Sequence, residues 1–391
     1  VLSADDTDMV RDVNVAPVNN ILHSMFKNIQ VALNQTQINE SNGTYPYVAY
    51  LETLLTANKD YLDSQGAACL WDMDDASGDM DETETQYDVA VKYVGADPTK
   101  GVLTLPVESN PLGRRQQRFY DNKAGNGYHT VTLTGRPFGD IFQQEKYLPY
   151  GTNLRIQLDR ASDAFCLMKA NAADAHHLVI KSIKLYVDYV TINQALFNQH
   201  LKTHPDVVIP VSRSVIRTHV LTAGTHSDTI NTMFRGVLPK RLVVGLVQNE
   251  AINGSLVLNP FNFQNYDLTS LQVWKHGKRY PNYPYTPNFN TKQYLRSYMS
   301  MFEGTGVLHQ NEGLPISYSD YGDGFTLWVF DFTGEGKSGQ ADGVQHIKEE
   351  GEIIFDVKFG TALPHNVTLV VLAEYENELT IDKNNQVAKD Y

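Results

Sequence analysis

Four short patterns occur twice in this chain, in one order, and that duplication restricts the folds open to it. Ile29-Gln-Val31 precedes the turn-like pair Asn34-Gln35, and Leu271-Gln-Val273 precedes His276-Gly277 at the same offset. Tyr50-Leu51 lies 19 residues after Val31, and Tyr294-Leu295 lies 21 after Val273. Tyr150-Gly151 leads into Leu154, Ile156 and Leu158, as Tyr321-Gly322 leads into Phe325, Leu327 and Val329. Val187-Asp-Tyr189 closes the first set and Ala373-Glu-Tyr375 the second. Two copies of one unit are the simplest source of such an order. The copies differ in length: 119 residues separate Val31 from Tyr150 but only 48 separate Val273 from Tyr321. The first copy therefore carries about 71 extra residues. These include the acidic stretch near 72–84 and the Arg-containing segment near 114, and insertions of this kind belong in loops at one end of a sandwich.

The repeated unit reads as antiparallel β. Val131–Thr134, Leu154–Leu158, Phe325–Phe330 and Ile353–Phe359 alternate or run apolar over four to seven residues between Gly, Pro, Asn and Asp. Leu154, Ile156 and Leu158 should face a core while Arg155 and Gln157 face outward. Two stretches predict helix instead. In Tyr47–Leu62 the residues Tyr47, Tyr50, Leu51, Leu54 and Leu55 follow a helical stripe. Thr191–His204 carries a shorter version that ends before Pro205. It lies near the chain's midpoint and serves as the predicted connector between two domains, residues 1–204 and 205–391. With 391 residues, each domain is long enough for its own core.

Composition narrows the function. Lys plus Arg number 32 against 45 Asp plus Glu, a net charge of −13 that repels phosphate backbones and argues against coating nucleic acid. Two cysteines, Cys69 and Cys166, make neither a disulfide framework nor a four-thiolate site, and reduced thiols are the expectation. No apolar run approaches the roughly 20 residues that span a bilayer as a helix. The chain opens at Val1 without an initiator Met or a signal-peptide pattern, which suggests a trimmed or processed product lacking an N-terminal arm.

Candidate chemistry fails test by test. Gly336-Lys-Ser338 resembles the end of a phosphate loop, yet the required earlier Gly is Asp331, which would repel the ligand. His200 and His204 have the i, i+4 spacing of a zinc helix, but Leu201 stands where the general-base Glu belongs and no third ligand suggests itself. His176 and His177 are adjacent, so on a strand they point to opposite faces. No His-x-His of a cupin metal site and no Gly-x-Ser-x-Gly elbow occurs. The acidic run Asp72, Asp74, Asp75, Asp79, Asp81, Glu82 and Glu84 lacks the Gly and Glu of a calcium loop, with Ser77 and Thr83 in their places. It reads as a solvated loop, with weak divalent binding between chains as the sharper alternative. Cys166, in Phe165-Cys-Leu-Met168, reads as a buried thiol. Four glycosylation-type sequons, at Asn34, Asn42, Asn253 and Asn366, carry little without a secretory signal. No catalytic, cofactor or metal residue is therefore assigned.

Longer strings supply a resemblance. The chain has Val15-Ala-Pro-Val-Asn-Asn-Ile-Leu-His-Ser-Met-Phe26, Ile29-Gln-Val-Ala-Leu-Asn34 and Thr44-Tyr-Pro-Tyr-Val-Ala-Tyr-Leu-Glu-Thr-Leu-Leu55. Gly135-Arg, Asp140-Ile-Phe142 and Phe165–Met168 follow, then Leu238-Pro-Lys-Arg241, Asn253-Gly254, Asn259-Pro-Phe-Asn-Phe263, Phe330-Asp-Phe-Thr333, Ile381-Asp-Lys383 and Asp390-Tyr391. In this order the chain resembles the hexon-like major capsid proteins of polinton/maverick elements and of the related adintoviruses of animals. Asp331-Phe-Thr-Gly334 departs from the Leu and Pro common there. The resemblance implies an all-β double jelly-roll of two eight-stranded sandwiches with short helices in the connections. It further implies a homotrimer of pseudo-hexagonal outline, tiling an icosahedral shell around double-stranded DNA. Penton and minor capsid proteins would be its partners, and the virion, assembled inside a eukaryotic host cell, its place. No enzymatic activity, cofactor, sequence-specific contact to nucleic acid or transmembrane segment is implied. The competing reading is a carbohydrate-binding or glycan-active protein on paired jelly-rolls, which would need exposed Trp among Trp71, Trp274 and Trp328.

Overall fold

The computed structural model describes residues 2–3, 15–40, 42–75, 80–81, 89–93, 102–106, 111–121, 123–124, 128–139, 141–144, 146–169, 176–193, 195, 199, 203, 206–311, 313–333 and 348–391. In chain order its principal elements in the first half are β1 (Val15–Pro17), α1 (Ile21–Ser24), β2 (Phe26–Leu33), β3 (Thr36–Gln37), α2 (Tyr45–Thr56), α3 (Lys59–Ser64), α4 (Pro111–Asp121), β4 (Leu154–Arg160), α5 (Asp163–Cys166) and β5 (Leu167–Lys169). The second half has β6 (Val207–Leu221), β7 (Ser227–Val237), β8 (Arg241–Gln248), α6 (Asn249–Gly254), β9 (Leu268–Lys275), β10 (Lys278–Tyr285), α7 (Leu295–Thr305), α8 (Tyr318–Tyr321), β11 (Leu327–Asp331), β12 (Glu350–Phe359), β13 (Val367–Ile381) and β14 (Val387–Lys389).

The second half is a complete eight-stranded jelly-roll. One sheet runs β6-β13-β8-β11, with β14 added on β13, and the facing sheet runs β7-β12-β9-β10. Counted within the unit, these orders are 1-8-3-6 and 2-7-4-5, every pair antiparallel, which is the double Greek key of a jelly-roll. Leu242, Val244, Leu246, Trp328, Phe330, Phe355, Leu369 and Val371 fill the space between the sheets. The first sheet is buried on its outer face as well. Val243, Val247, Leu327, Val329, Val370 and Leu372 pack there against Tyr47, Tyr50, Leu51 and Leu54 of α2 and against Phe261 and Phe263. Burial on both faces explains why β8 and the first half of β13 read as continuous apolar runs rather than alternations. Gly245 is required by the same packing, since a Cβ there would sit 2.5 Å from the Phe263 ring.

The first half repeats part of this design. β2 and β3 form a hairpin with β4 on the other side of β2, as β9 and β10 form a hairpin with β12 beside β9. Both hairpins turn on two residues with positive φ, Asn34 (46°) with Gln35 (77°) and His276 (52°) with Gly277 (70°). Positive φ at both central positions gives the turn whose twist matches the flanking strands. Each hairpin leads to a three-turn helix, α2 after the first and α7 after the second. The first two sequence echoes thus mark equivalent structure. The third does not: β4 pairs with β2, which makes it the counterpart of β12, whereas β11 pairs with β8. An alternating strand of either kind carries the same apolar spacing, so spacing alone cannot separate them.

Two further expectations change and a third falls mostly outside the described residues. The helix expected over 47–62 is two helices, α2 and α3, broken at Ala57, whose backbone is extended. Val131–Thr134 lies outside every strand, although Val131 and Leu133 pack on the core. Most of Thr191–His204, including both of its histidines, lies outside the described residues. The alternation of β4 holds, with Leu154, Ile156 and Leu158 packed against the core and Arg155 and Gln157 exposed.

The two halves share a core. β6 and β13 each run 15 residues, roughly 50 Å at strand rise. Their far ends carry Ile209, Val211, Leu379 and Ile381 into a cluster with Phe26, Ile29, Val31 and Leu33 of β2 and with Tyr45 and Ala49 of α2.

Candidate functional site: the joint between the units and the exposed surface

The side chains that could have carried chemistry are held in bonded networks. Cys166 is buried and its thiol is pushed up to about 12 by burial. Cys69 lies 3.8 Å from Nε2 of buried His23, whose Nδ1 is 2.8 Å from the Tyr45 hydroxyl. Phe138 N–H also donates to that hydroxyl, so Tyr45 bridges His23 and the 138 loop. Burial lowers His23 to about 4 and raises Cys69 to about 11, so both groups are neutral and no thiolate–imidazolium pair forms. His176 and His177 sit on a two-residue strand against Leu2–Ser3. Gly336-Lys-Ser338, His200 and His204 lie outside the described residues. Among the described residues no group of three or more His, Cys, Asp or Glu is placed to hold a metal ion.

The acidic run departs most from its expectation. Asp72 accepts two hydrogen bonds from Arg114, each 2.8 Å, and Asp74 pairs at 2.7 Å with Arg115. Arg115 is 1% exposed and also donates to the carbonyls of Pro17 and Asp72. Asp81 accepts from the Asn259 N–H and from Asn262 Nδ2, both at 2.7 Å, and Asp74 accepts from Asn259 Nδ2. The two inserted segments that the sequence flagged separately, near 72–84 and near 114, therefore bind each other and the loop after α6. Asp72, Asp74 and Asp81 are structural carboxylates, whereas Asp75 is exposed. Spacing could not reveal this, because the arginines stand some 40 residues away in the chain.

A second set of buried charges joins the halves, and the sequence reading missed it. Arg241 of β8 lies directly across from Glu374 of β13 on one side and Asp331 of β11 on the other. The Arg241–Glu374 ion pair is almost fully buried. All three face outward from the sandwich, toward α2, where Glu52 is buried and accepts from Gln143 Nε2 at 3.1 Å. Glu52 is raised to about 7, by burial first and then by the Glu374 charge. The available signal was a lone charge inside each apolar run. Nearby, Arg213 of β6 lies between the rings of Tyr375 and Tyr391, 4.5 Å from each, and pairs at 2.8 Å with Glu40 of the first half. Tyr391 donates to the carbonyl of Ile38.

Among the described residues one continuous apolar stretch is exposed. Between Val179 and Ile192 eight apolar side chains are about half exposed or more, including Tyr186 at 85% and Tyr189 at 93%. The backbone there is in no strand ladder beyond His177. Tyr147, Tyr150 and Tyr283 add exposed rings elsewhere. The tryptophans do not form a sugar platform. Trp71 and Trp328 are buried, and Trp274 has Arg279 over its ring at 5.1 Å while its Nε1 donates to Asp356. No described helix is long and apolar enough to cross a membrane.

This architecture, a jelly-roll in the second half and a partial echo of it in the first, defines the double jelly-roll class found in viral major capsid proteins. A chain of the Sputnik virophage particle matches with a TM-score of 0.53 at 13% identity, over 97% of this chain and 77% of that one. The Faustovirus major capsid protein matches with a TM-score of 0.53 at 11% identity, over 96% and 76%. An uncharacterized protein of Caenorhabditis elegans is 23% identical over 376 residues, 94% of this chain and 80% of that protein. No protein-family model matches the chain.

Proposed function

We propose that this chain is a major capsid protein that self-assembles as pseudo-hexagonal trimers into an icosahedral shell enclosing double-stranded DNA. The observation that carries the reading is the pairing of a complete 1-8-3-6/2-7-4-5 jelly-roll with a second hairpin-and-helix unit sharing its core. Two similar units per chain give a trimer six similar sides, and six-sided blocks tile a closed shell. In this reading residues 1–204 form the first jelly-roll and 205–391 the second, with 178–192 on the surface of the first. The apolar side chains of that stretch are covered by neighbouring chains on assembly, since a patch of this kind marks an interaction surface. Penton and minor capsid proteins complete the shell, and polinton or adintovirus-like elements are the proposed source. The virion is the proposed location, reached by assembly inside a eukaryotic host cell. A net charge of −13 leaves genome compaction to other proteins or counterions.

The test is electron microscopy of the concentrated protein. Six-sided particles, with shells at higher concentration, are expected. Featureless single-chain particles at every concentration would contradict the proposal.

A further inference from the structure

We propose that the joint between α2 and the outer face of the β6-β13-β8-β11 sheet is a proton-operated latch, closed when the Glu52 carboxyl holds a proton and loosened when it does not. The joint sets one guanidinium against three carboxylates, an excess of two negative charges that a proton on Glu52 halves. Arg241 faces Glu374 and Asp331 as its direct cross-strand neighbours and forms the buried ion pair with Glu374. Its Nε and Nη1 have no hydrogen-bond partner. Glu52 enters this site from α2 as a further carboxylate, 8% exposed, accepting from the neutral donors Gln143 Nε2, at 3.1 Å, and the Ser214 hydroxyl of β6, while the Arg241 charge favours its ionised form less than burial and Glu374 oppose it. The other nearby cation, Lys240, is directed to Glu376 at 3.5 Å, and the remaining neighbour on α2 is the neutral Tyr45 phenol. A buried carboxylate without its own cation costs several kcal/mol unless it takes a proton. The like charge of Glu374 pushes in the same direction, and the Glu52 value near 7 agrees with the geometry.

The sign follows from linkage. The unfolded chain gives up the Glu52 proton near pH 4.3, whereas the folded chain keeps it until about 7. Stability is therefore fully present below pH 4.3, is lost as pH rises toward 7, and stays lower above it. The elements that would respond are α2 and, through it, the contact between the two halves. Acidic surroundings would lock the two halves together and mildly alkaline ones would free them. The latch belongs to the single chain and does not depend on the capsid reading.

The experiment compares chemical unfolding of the full wild-type chain and Glu52→Gln from pH 4.5 to 8.5. The amide keeps the shape and hydrogen bonds of the protonated carboxyl. The two chains are expected to match near pH 4.5 and to diverge by pH 7.5, where Glu52→Gln leads by on the order of a hundredfold in its folding equilibrium constant. In parallel, hydrogen exchange of wild-type residues 45–56, corrected for intrinsic rates, should show protection falling across the same interval, and Glu52→Gln should hold it constant. A constant offset at all pH values, a wild-type lead at pH 7.5, or failure of Glu52→Gln to fold would each overturn the latch, as would pH-independent protection of α2 in the wild type.

Discussion

Arg115 shows how much one side chain can organise. It is a fully buried guanidinium bonded to Asp74 and to two carbonyls, and it links α4, β1 and the acidic segment. Replacing it strands Asp74 in a low-dielectric site, so Arg115→Met should lower stability by about 3–5 kcal/mol. The double variant with Asp74→Asn should recover part of that loss, as measured by urea unfolding of the single and double variants. Gly277 offers a cleaner case. Its φ is 70° and nothing lies within 4 Å of an added Cβ, so Gly277→Ala carries only the backbone penalty of the left-handed region. About 1 kcal/mol of destabilisation is expected in the same assay. Its counterpart Gln35 pays that penalty already at φ 77°, so Gln35→Gly should be neutral or stabilising by up to about 1 kcal/mol. At this scale the sequence was least legible. Periodicity assigns residues to faces but does not name their partners, so Arg115, Arg241 and Glu52 looked like ordinary charges.

At the scale of elements much more could be read. The two hairpin turns and the helix after the first stood out because turn chemistry and apolar spacing recur at fixed offsets, whereas α7 was marked only by the Tyr294-Leu295 echo. Leu154–Arg160 was legible as a strand, yet its equivalence to β11 was wrong, because pairing depends on contacts more than 100 residues away. Val131–Thr134 alternates like a strand but finds no ladder among the described residues. The long strands β6 and β13 pair over all 15 residues, β6 burying alternate stretches and β13 most of its length. Their central amides should therefore be the slowest to exchange in the chain, and those of 178–192 among the fastest in the isolated chain. Protection appearing over 178–192 when chains associate would support its covering by neighbours. Unchanged exchange after assembly would exclude it.

For the whole molecule, the decisive property is that two units share one core and one set of buried charges. The Arg213 clamp between Tyr375 and Tyr391, tied to Glu40, adds a polar stitch where the long strands enter the first half. Arg213→Ala should lower stability through loss of packing as well as charge, by about 1–3 kcal/mol in urea titrations. The fold the chain shares with the matched capsid chains is the double jelly-roll, and the proposed shell role is the step beyond that fold. The central claim is that such two-unit chains associate in threes. Light scattering after size exclusion measures this most directly: the account predicts a mass of three times 43.9 kDa, held across dilution. A mass of 43.9 kDa at every concentration would contradict it.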